Sequence, residues 1–265
     1  MSISHKEHDS VPYRVAVAVV INTQNSILRK EAADLQTKLV QDEPDPTHIM
    51  YFGRDGVDLR SALTPDKKGH QVDFTTIDRR TGAGNLSRKQ PFPKAIGIDS
   101  ETIIDTTAGF GVDAAMLALM GYSVVAIEKS PILSVLLRDG IRRATKDAEL
   151  SSVLNDRLSF VESDSITELE NMDSPDVVYL DPMFPPKRKK SALPQGSMQL
   201  LQGLIGFESH EKITQLFTLA KQKATKRVVV KRPNYAPHFQ EKPVAVHKGK
   251  LVRYEVYTPH RQDVQ

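Results

Sequence analysis

The segment IIDTTAGFGVDAA, Ile103 to Ala115, restricts the possible folds of this chain more than any other. A β-branched run ends in an acid, Asp105, a turn containing Gly109 and Gly111 follows, and helix-forming residues begin directly after it. Glycine takes positive φ angles without penalty and lets backbone approach a ligand closely. The helix that follows offers unpaired N–H groups and a partial positive charge at its start. The chain then repeats this strand-to-helix alternation. Asp113–Met120 reads as the helix, stopped by Gly121, and Ser123–Ile127 as a second strand. Ser130 caps a helix with Pro131 at its first position, continuing through ILSVLLRDGIRRA. Leu158–Val161 and Val177–Leu180 read as the next two strands. Ile213, Leu216, Phe217 and Ala220 form one helix face leading into a strand at Arg227–Lys231, and Val244–His247 and Val252–Tyr257 read as a closing strand pair. The alternation predicts an α/β fold with a mostly parallel sheet covered on both faces and a ligand site at the carboxyl ends of its strands.

Upstream, Val15–Ile21 reads as a buried strand, Gln24–Leu39 as a helix, and His48–Phe52 and Val72–Thr75 as short strands. TGAGNLSRKQPFP, Thr81 to Pro93, is dense in Gly, Pro and polar residues and reads as a loop. The expected organisation is a small N-terminal α/β appendage over 1–80, a linker over 81–94 and the main domain over 95–265. Absence of cysteine from all 265 residues excludes disulfides, thiolate zinc sites and iron–sulfur clusters. His5 and His8 sit in a polar leader and read as solvent-facing, so no metal is expected. No apolar run approaches the roughly 18 residues of a membrane span, and MSISHKEHDS does not resemble a secretion signal. A cytoplasmic protein with no membrane partner is expected. The net charge of +3 is mild, but basic residues concentrate in Arg79–Lys94, Lys187–Lys190 and Lys221–Arg232. Such clusters suit a phosphate-binding face.

Two cofactors fit the glycine turn. Gly109-x-Gly111-x-x-Ala114, with Glu128 ending the next strand, is a loose dinucleotide fingerprint. S-adenosylmethionine (SAM) uses the same features, with Glu128 accepting both ribose hydroxyls and the glycine turn facing the methionine moiety. Glu128-Lys129 also reads as a plain surface ion pair. Asp164 is placed to accept from an adenine amino group, with Ser165 beside it, although Ser165-x-x-Glu168 is equally a capping box.

VVYLDPMFPP, Val177 to Pro186, decides between the cofactors. A buried strand delivers Asp181 to its carboxyl end and a proline-rich turn presents Phe184. The pattern resembles the (D/N)-P-P-(Y/F) motif of amino-methyltransferases, with Met183 in place of the second proline. An exocyclic amine on a base is a poor nucleophile because its lone pair is delocalised into the ring. The Asp181 carboxylate and the Pro182 carbonyl can accept its two N–H bonds, favour localisation of that pair and aim it at a methyl group. Phe184 can stack on the base and hold it in line. A dehydrogenase has no use for this arrangement.

On DTTAGFGVDA, IEKSP, VVYLDPMFPPKRKKSAL and ATKRVVVKRPNYAP, the chain from about Val72 to Tyr257 resembles the ribosomal RNA small subunit methyltransferase J family. The resemblance implies a Rossmann-like class I SAM-dependent methyltransferase fold and N2-methylation of one guanine in 16S rRNA, free or within the small ribosomal subunit. It implies cofactor contacts at Val112, Asp113, Glu128, Lys129, Asp164, Ser165 and Asp181, alongside the Asp105, Gly109 and Gly111 turn. The family pattern often has arginine where Val112 and Lys129 stand, and a small residue where Asp164 stands, so a contact at Val112 is expected through backbone. It further implies RNA-backbone contacts at Lys187, Arg188, Lys189 and Lys190, which follow the catalytic turn, and at Lys231 and Arg232, which end the next strand. Tyr235 is a further candidate for base stacking. The competing readings are an amino-methyltransferase acting on DNA or a protein glutamine, and a non-catalytic nucleotide-binding RNA chaperone.

Overall fold

A computed structural model describes residues 16–39, 46–81, 84, 86–183, 208–239 and 241–260. Seven strands form one sheet: β4 (Thr102–Asp105), β5 (Ser123–Glu128), β6 (Leu158–Glu162), β7 (Val177–Leu180), β8 (Arg227–Pro233), β9 (Ala245–Lys248) and β10 (Val252–Tyr257). Their order is β6-β5-β4-β7-β8-β10-β9. Strands β4 to β8 are parallel, while β10 runs antiparallel to both β8 and β9. The order reverses between β4 and β7, and in open α/β sheets ligands bind outside the carboxyl ends of the strands at such a switch point.

Alternation along the strands explains the two-sided burial. Ile103, Val177, Tyr179 and Val229 join a core on one face, whereas Ile104, Val178, Leu180, Val228 and Val230 join a second core on the other. The first face carries α2 (Pro91–Ile96), α3 (Val112–Leu119), α4 (Pro131–Ala144) and α5 (Ala148–Arg157). The second carries α6 (Ser165–Asn171) and α7 (His210–Lys223). All four residues of β7 are fully buried, as a central parallel strand covered on both faces must be.

The N-terminal unit is a separate three-stranded sheet in the order β1 (Val17–Ile21), β2 (His48–Gly53), β3 (Gly56–Ser61), with α1 (Ser26–Lys38) between β1 and β2. Leu28, Leu35, Met50, Phe52 and Leu59 from this unit belong to the same continuous core as α3 and α4. Asp139 of α4 fixes the junction, accepting from Arg142 at 2.6 Å, Arg143 at 2.7 Å and the Val57 amide at 3.0 Å.

Some local expectations change. Val72–Thr75 is not a strand: the Asp73 carboxylate accepts from the amide and hydroxyl of Thr75 and starts a 3-10 turn at Phe74–Thr76. Such side-chain-to-backbone bonds compete with strand pairing. The third strand of this sheet is β3, where Asp58 and Arg60 form an ion pair at 2.7 Å beside buried Val57 and Leu59. The presumed loop before the main sheet contains the start of α2, which has Pro91 in its first turn and buries Phe92, Ala95 and Ile96. Helix α5, capped by Asp147, is a further element that its weak apolar pattern concealed.

Candidate active site

The turn after β4 is built for close approach. Gly109 and Gly111 adopt φ of +56° and +72°. Their surroundings differ. A Cβ on Gly111 would lie 2.4 Å from Leu137 Cδ1, so this glycine is required by packing against α4. A Cβ on Gly109 would meet nothing nearer than the Thr107 carbonyl at 4.0 Å, so its outer side faces open space.

Glu128, at the end of β5, is buried beneath this turn. One of its oxygens accepts from the Gly109 amide at 2.9 Å and the other from the Ser130 amide at 2.8 Å. Burial raises its carboxyl above the ordinary range, and these two amides oppose the shift. A carboxylate has about four lone-pair positions, so each oxygen keeps acceptor capacity for a diol. Open space over Gly109 and a pre-aimed diol acceptor one strand away fit SAM at this site. Asp164 is the N-cap of α6, its carboxylate accepting from the Ile166 amide at 3.0 Å and the Thr167 amide at 3.4 Å. The capping role therefore belongs to Asp164 rather than Ser165, whose hydroxyl donates to the Thr106 carbonyl and ties α6 to the β4 turn. Lys129 pairs with Glu208 on the rim, and Val112 is half exposed on the first turn of α3.

The most charged part of the site lies where β4, β7 and β8 end. Asp105 is buried, with the Thr107 amide donating to it at 3.1 Å. Burial pushes its carboxyl well above the usual range, and the nearby Asp113 and Asp181 add to that. The Lys231 ammonium sits between two carboxylates, 2.8 Å from Asp113 and 2.9 Å from Asp181. The buried Tyr179 donates its hydroxyl to Asp113 at 2.7 Å. Thr107 accepts from the Asp181 amide at 2.6 Å and so fixes the backbone entering the Asp-Pro turn. Burial raises both acids, but for Asp113 the Lys231 charge and the Tyr179 hydroxyl outweigh it and hold the carboxyl below its ordinary value. For Asp181, burial and the Asp113 charge prevail and leave it raised. Burial opposes the charge on Lys231, yet the two acids hold its ammonium well above the usual range.

The structure thus brings Asp105, Gly109, Gly111, Asp113, Glu128, Asp164, Ser165, Asp181 and Pro182 to one edge of the sheet. Phe184 and Lys187, Arg188, Lys189 and Lys190 lie outside the described residues. Lys231 and Arg232, expected to meet RNA phosphates, lie at the carboxyl end of β8. The Lys231 charge is committed to two acids, and Arg232 is 5% exposed, with its guanidinium 5.3 Å from the Phe239 ring centre. The basic stretch 221–232 is also divided by its own strand. Lys221 pairs with Glu241, Lys226 with Asp176 and Arg227 with Asp99, and the Asp99 and Asp176 pairs lie at the opposite edge of the sheet. Strand β8 runs seven residues from Arg227 to Pro233, roughly 20 Å of strand. Thr107 and Tyr179 escaped sequence reasoning. For Tyr179 the signal was a hydroxyl in an otherwise apolar buried strand, since a buried Tyr O–H usually finds a partner.

Comparison with known proteins agrees with this geometry. Residues 33–259 match the model of the SAM_MT family of SAM-dependent methyltransferases. Ribosomal RNA small subunit methyltransferase J of Tolumonas auensis is 36% identical over 239 residues, covering 87% of this chain and 94% of that protein. The protein of the same name from Haemophilus influenzae is 36% identical over 250 residues, covering 89% and 93%. The crystal structure of a SAM-dependent methyltransferase from Neisseria gonorrhoeae superposes with a TM-score of 0.69 at 29% identity, covering 94% of this chain and 97% of that one. The α/β sheet accordingly has the class I methyltransferase fold, and the chain belongs to the ribosomal RNA small subunit methyltransferase J family of SAM-dependent enzymes.

Proposed function

We propose that this enzyme methylates the exocyclic N2 amine of a guanine in 16S rRNA. The observation that carries the chemistry is Asp181, delivered by a fully buried strand to the switch point, with its amide fixed by Thr107 and its carboxylate beside Lys231. The names of the relatives support ribosomal RNA of the small subunit as the substrate.

Gly109, Glu128, Asp164 and Asp105 hold and orient the cofactor in this reading. When bound, SAM supplies a methyl on a sulfonium sulfur, and the C–S bond breaks with its electron pair remaining on sulfur as the N–C bond forms. The chain does the rest. Asp181 and the Pro182 carbonyl accept the two N–H bonds of the amine, which counters delocalisation of its lone pair and fixes its direction of attack. The nitrogen sheds one proton, for which Asp181 is the proposed acceptor. Phe184 follows Met183 in the sequence and is the proposed stacking ring. The chain, of which Arg188 to Lys190 are part, continues past Phe184 as a basic run suited to the phosphates of the same RNA loop.

The test is incubation with methyl-labelled SAM and small-subunit rRNA lacking its native modifications, followed by digestion to nucleosides. Label in N2-methylguanosine is the expected result. Label in another nucleoside would refute the N2 assignment, and label only in DNA or protein controls would refute the RNA reading.

A further inference from the structure

Lys231 has no role assigned by the reading above, yet it bridges two carboxylates of the site. Strands β7 and β8 are parallel neighbours with Tyr179 opposite Val229 and Leu180 opposite Val230. Asp181 and Lys231 are the next residues on each strand, so the register itself sets the ammonium beside the acid. The other contact reaches Asp113 in the first turn of α3, where the helix N-terminus already favours an acid. Lys231 therefore links the helix that starts at the glycine turn to the Asp-Pro turn that ends β7.

We propose that Lys231 is a positioning residue for methyl transfer: tethered by Asp113, it holds Asp181 ionised and aimed as a hydrogen-bond acceptor. This role rests on the proposed amine chemistry of Asp181. The groups facing the pair are Asp105 from β4, Asp113 from α3, Tyr179 from β7 and Tyr254 from β10. Among these, Asp105 and Asp113 are acids and the tyrosines carry no positive charge, so Lys231 is the cation opposing them in this set. Without it Asp181 lies among like charges and favours its protonated form. A protonated Asp181 presents an O–H donor toward the amine and loses acceptor capacity on that oxygen.

The role predicts opposite shifts from two substitutions. Lys231→Met removes the cation, so the Asp181 titration and the acidic limb of the kcat profile both move to higher pH. At neutral pH kcat falls about 100-fold, the low end of a lost proton-transfer contribution, while SAM affinity changes less. Lys231→Arg recovers part of the loss. Asp113→Asn removes a like charge and leaves Lys231 to Asp181 alone, moving both curves to lower pH. A merely structural role for Lys231 does not predict that the rate profile follows the Asp181 titration in both variants.

The experiment is carboxyl 13C NMR of aspartate-labelled full-length protein, with Asp181 assigned from Asp181→Asn, run beside pH–rate profiles for rRNA methylation. Opposed shifts in both measurements support the proposal. An Asp181 titration that ignores Lys231→Met, or moves the same way in Asp113→Asn, overturns it. A titration that shifts while the rate profile stays fixed overturns the positioning role. If Lys231→Met is insoluble, the same pair of measurements is made on Lys231→Gln, which also removes the cation, and the same outcomes decide. Absence of methyl transfer by the wild-type enzyme, with the NMR shifts intact, refutes the amine-methylation reading and is distinguishable from the other outcomes.

Discussion

Asp139 on α4 and Asp181 at the end of β7 are both carboxylates held by basic side chains, but their charge balance is opposite. Asp139 accepts from two arginines, one of them shared with Glu31, and from a backbone amide, and its side chain is wholly buried. At the sheet edge three acids, Asp105, Asp113 and Asp181, face one lysine. The first arrangement is what a fold needs to fasten the β2–β3 hairpin to the main domain. The second is a deficit that stability alone would not maintain. Crowded, incompletely compensated acids at the mouth of a crevice are where catalytic groups are found.

Asp139→Ala breaks the structural half of the comparison. It leaves Arg142 and Arg143 at the junction without their shared acid and should lower unfolding stability by about 3 to 5 kcal/mol. Denaturant melts should show this loss, while transfer per folded molecule changes little. A comparable loss of specific activity in the folded fraction would mean that the junction also shapes the crevice.

The two glycines restate the contrast in backbone. Gly111→Ala sets a Cβ against the buried Leu137 at positive φ and should cost about 2 to 4 kcal/mol. Gly109→Ala has the same φ problem without the clash and should cost about 1 to 2 kcal/mol. Its main effect should instead appear as weaker SAM binding by calorimetry. Equal stability losses would erase the distinction between packing and ligand approach.

Asp105→Asn tests the deficit through pH. The folded-state carboxyl is raised, so the folded state binds its proton more tightly than the unfolded chain. This group's stabilising contribution is therefore present at low pH and lost as pH rises from about 4, the unfolded value, towards the folded one. Asp113 has the opposite sign, since its lowered carboxyl adds stability above the unfolded value that is lost as pH falls. Asp105→Asn should flatten the decline above about pH 4, giving equal or higher melting temperature at neutral pH together with weaker SAM binding. A variant less stable at neutral pH and unchanged in SAM affinity would make Asp105 a structural acid.

How legible each part was depended on sequence distance. The glycine turn, Glu128 and the Asp-Pro turn are local patterns, with strand and turn chemistry inside a dozen residues. Strands β4 to β8 followed from apolar runs because a parallel sheet buries both faces. Val72–Thr75 failed because the Asp73 side chain captures the Thr75 backbone, which apolar periodicity does not register. Strand β3 was hidden because Asp58 and Arg60 neutralise each other in the structure but read as surface residues in the sequence. The ion pairs of Lys231 were hidden for a related reason. Along the chain this lysine belongs to a basic run, whereas the sheet order sets it beside an acid fifty positions earlier.

The most direct test of the account is Asp181→Ala, measured for single-turnover methyl transfer to unmodified small-subunit rRNA and, in parallel, for RNA affinity. Transfer should fall by at least about 100- to 1,000-fold, the usual effect of removing one preorganised polar group from a reacting centre, while RNA affinity is substantially retained. Transfer close to the wild-type rate, or equal loss of transfer and affinity, would contradict the assignment of Asp181 as the acceptor for the reacting amine.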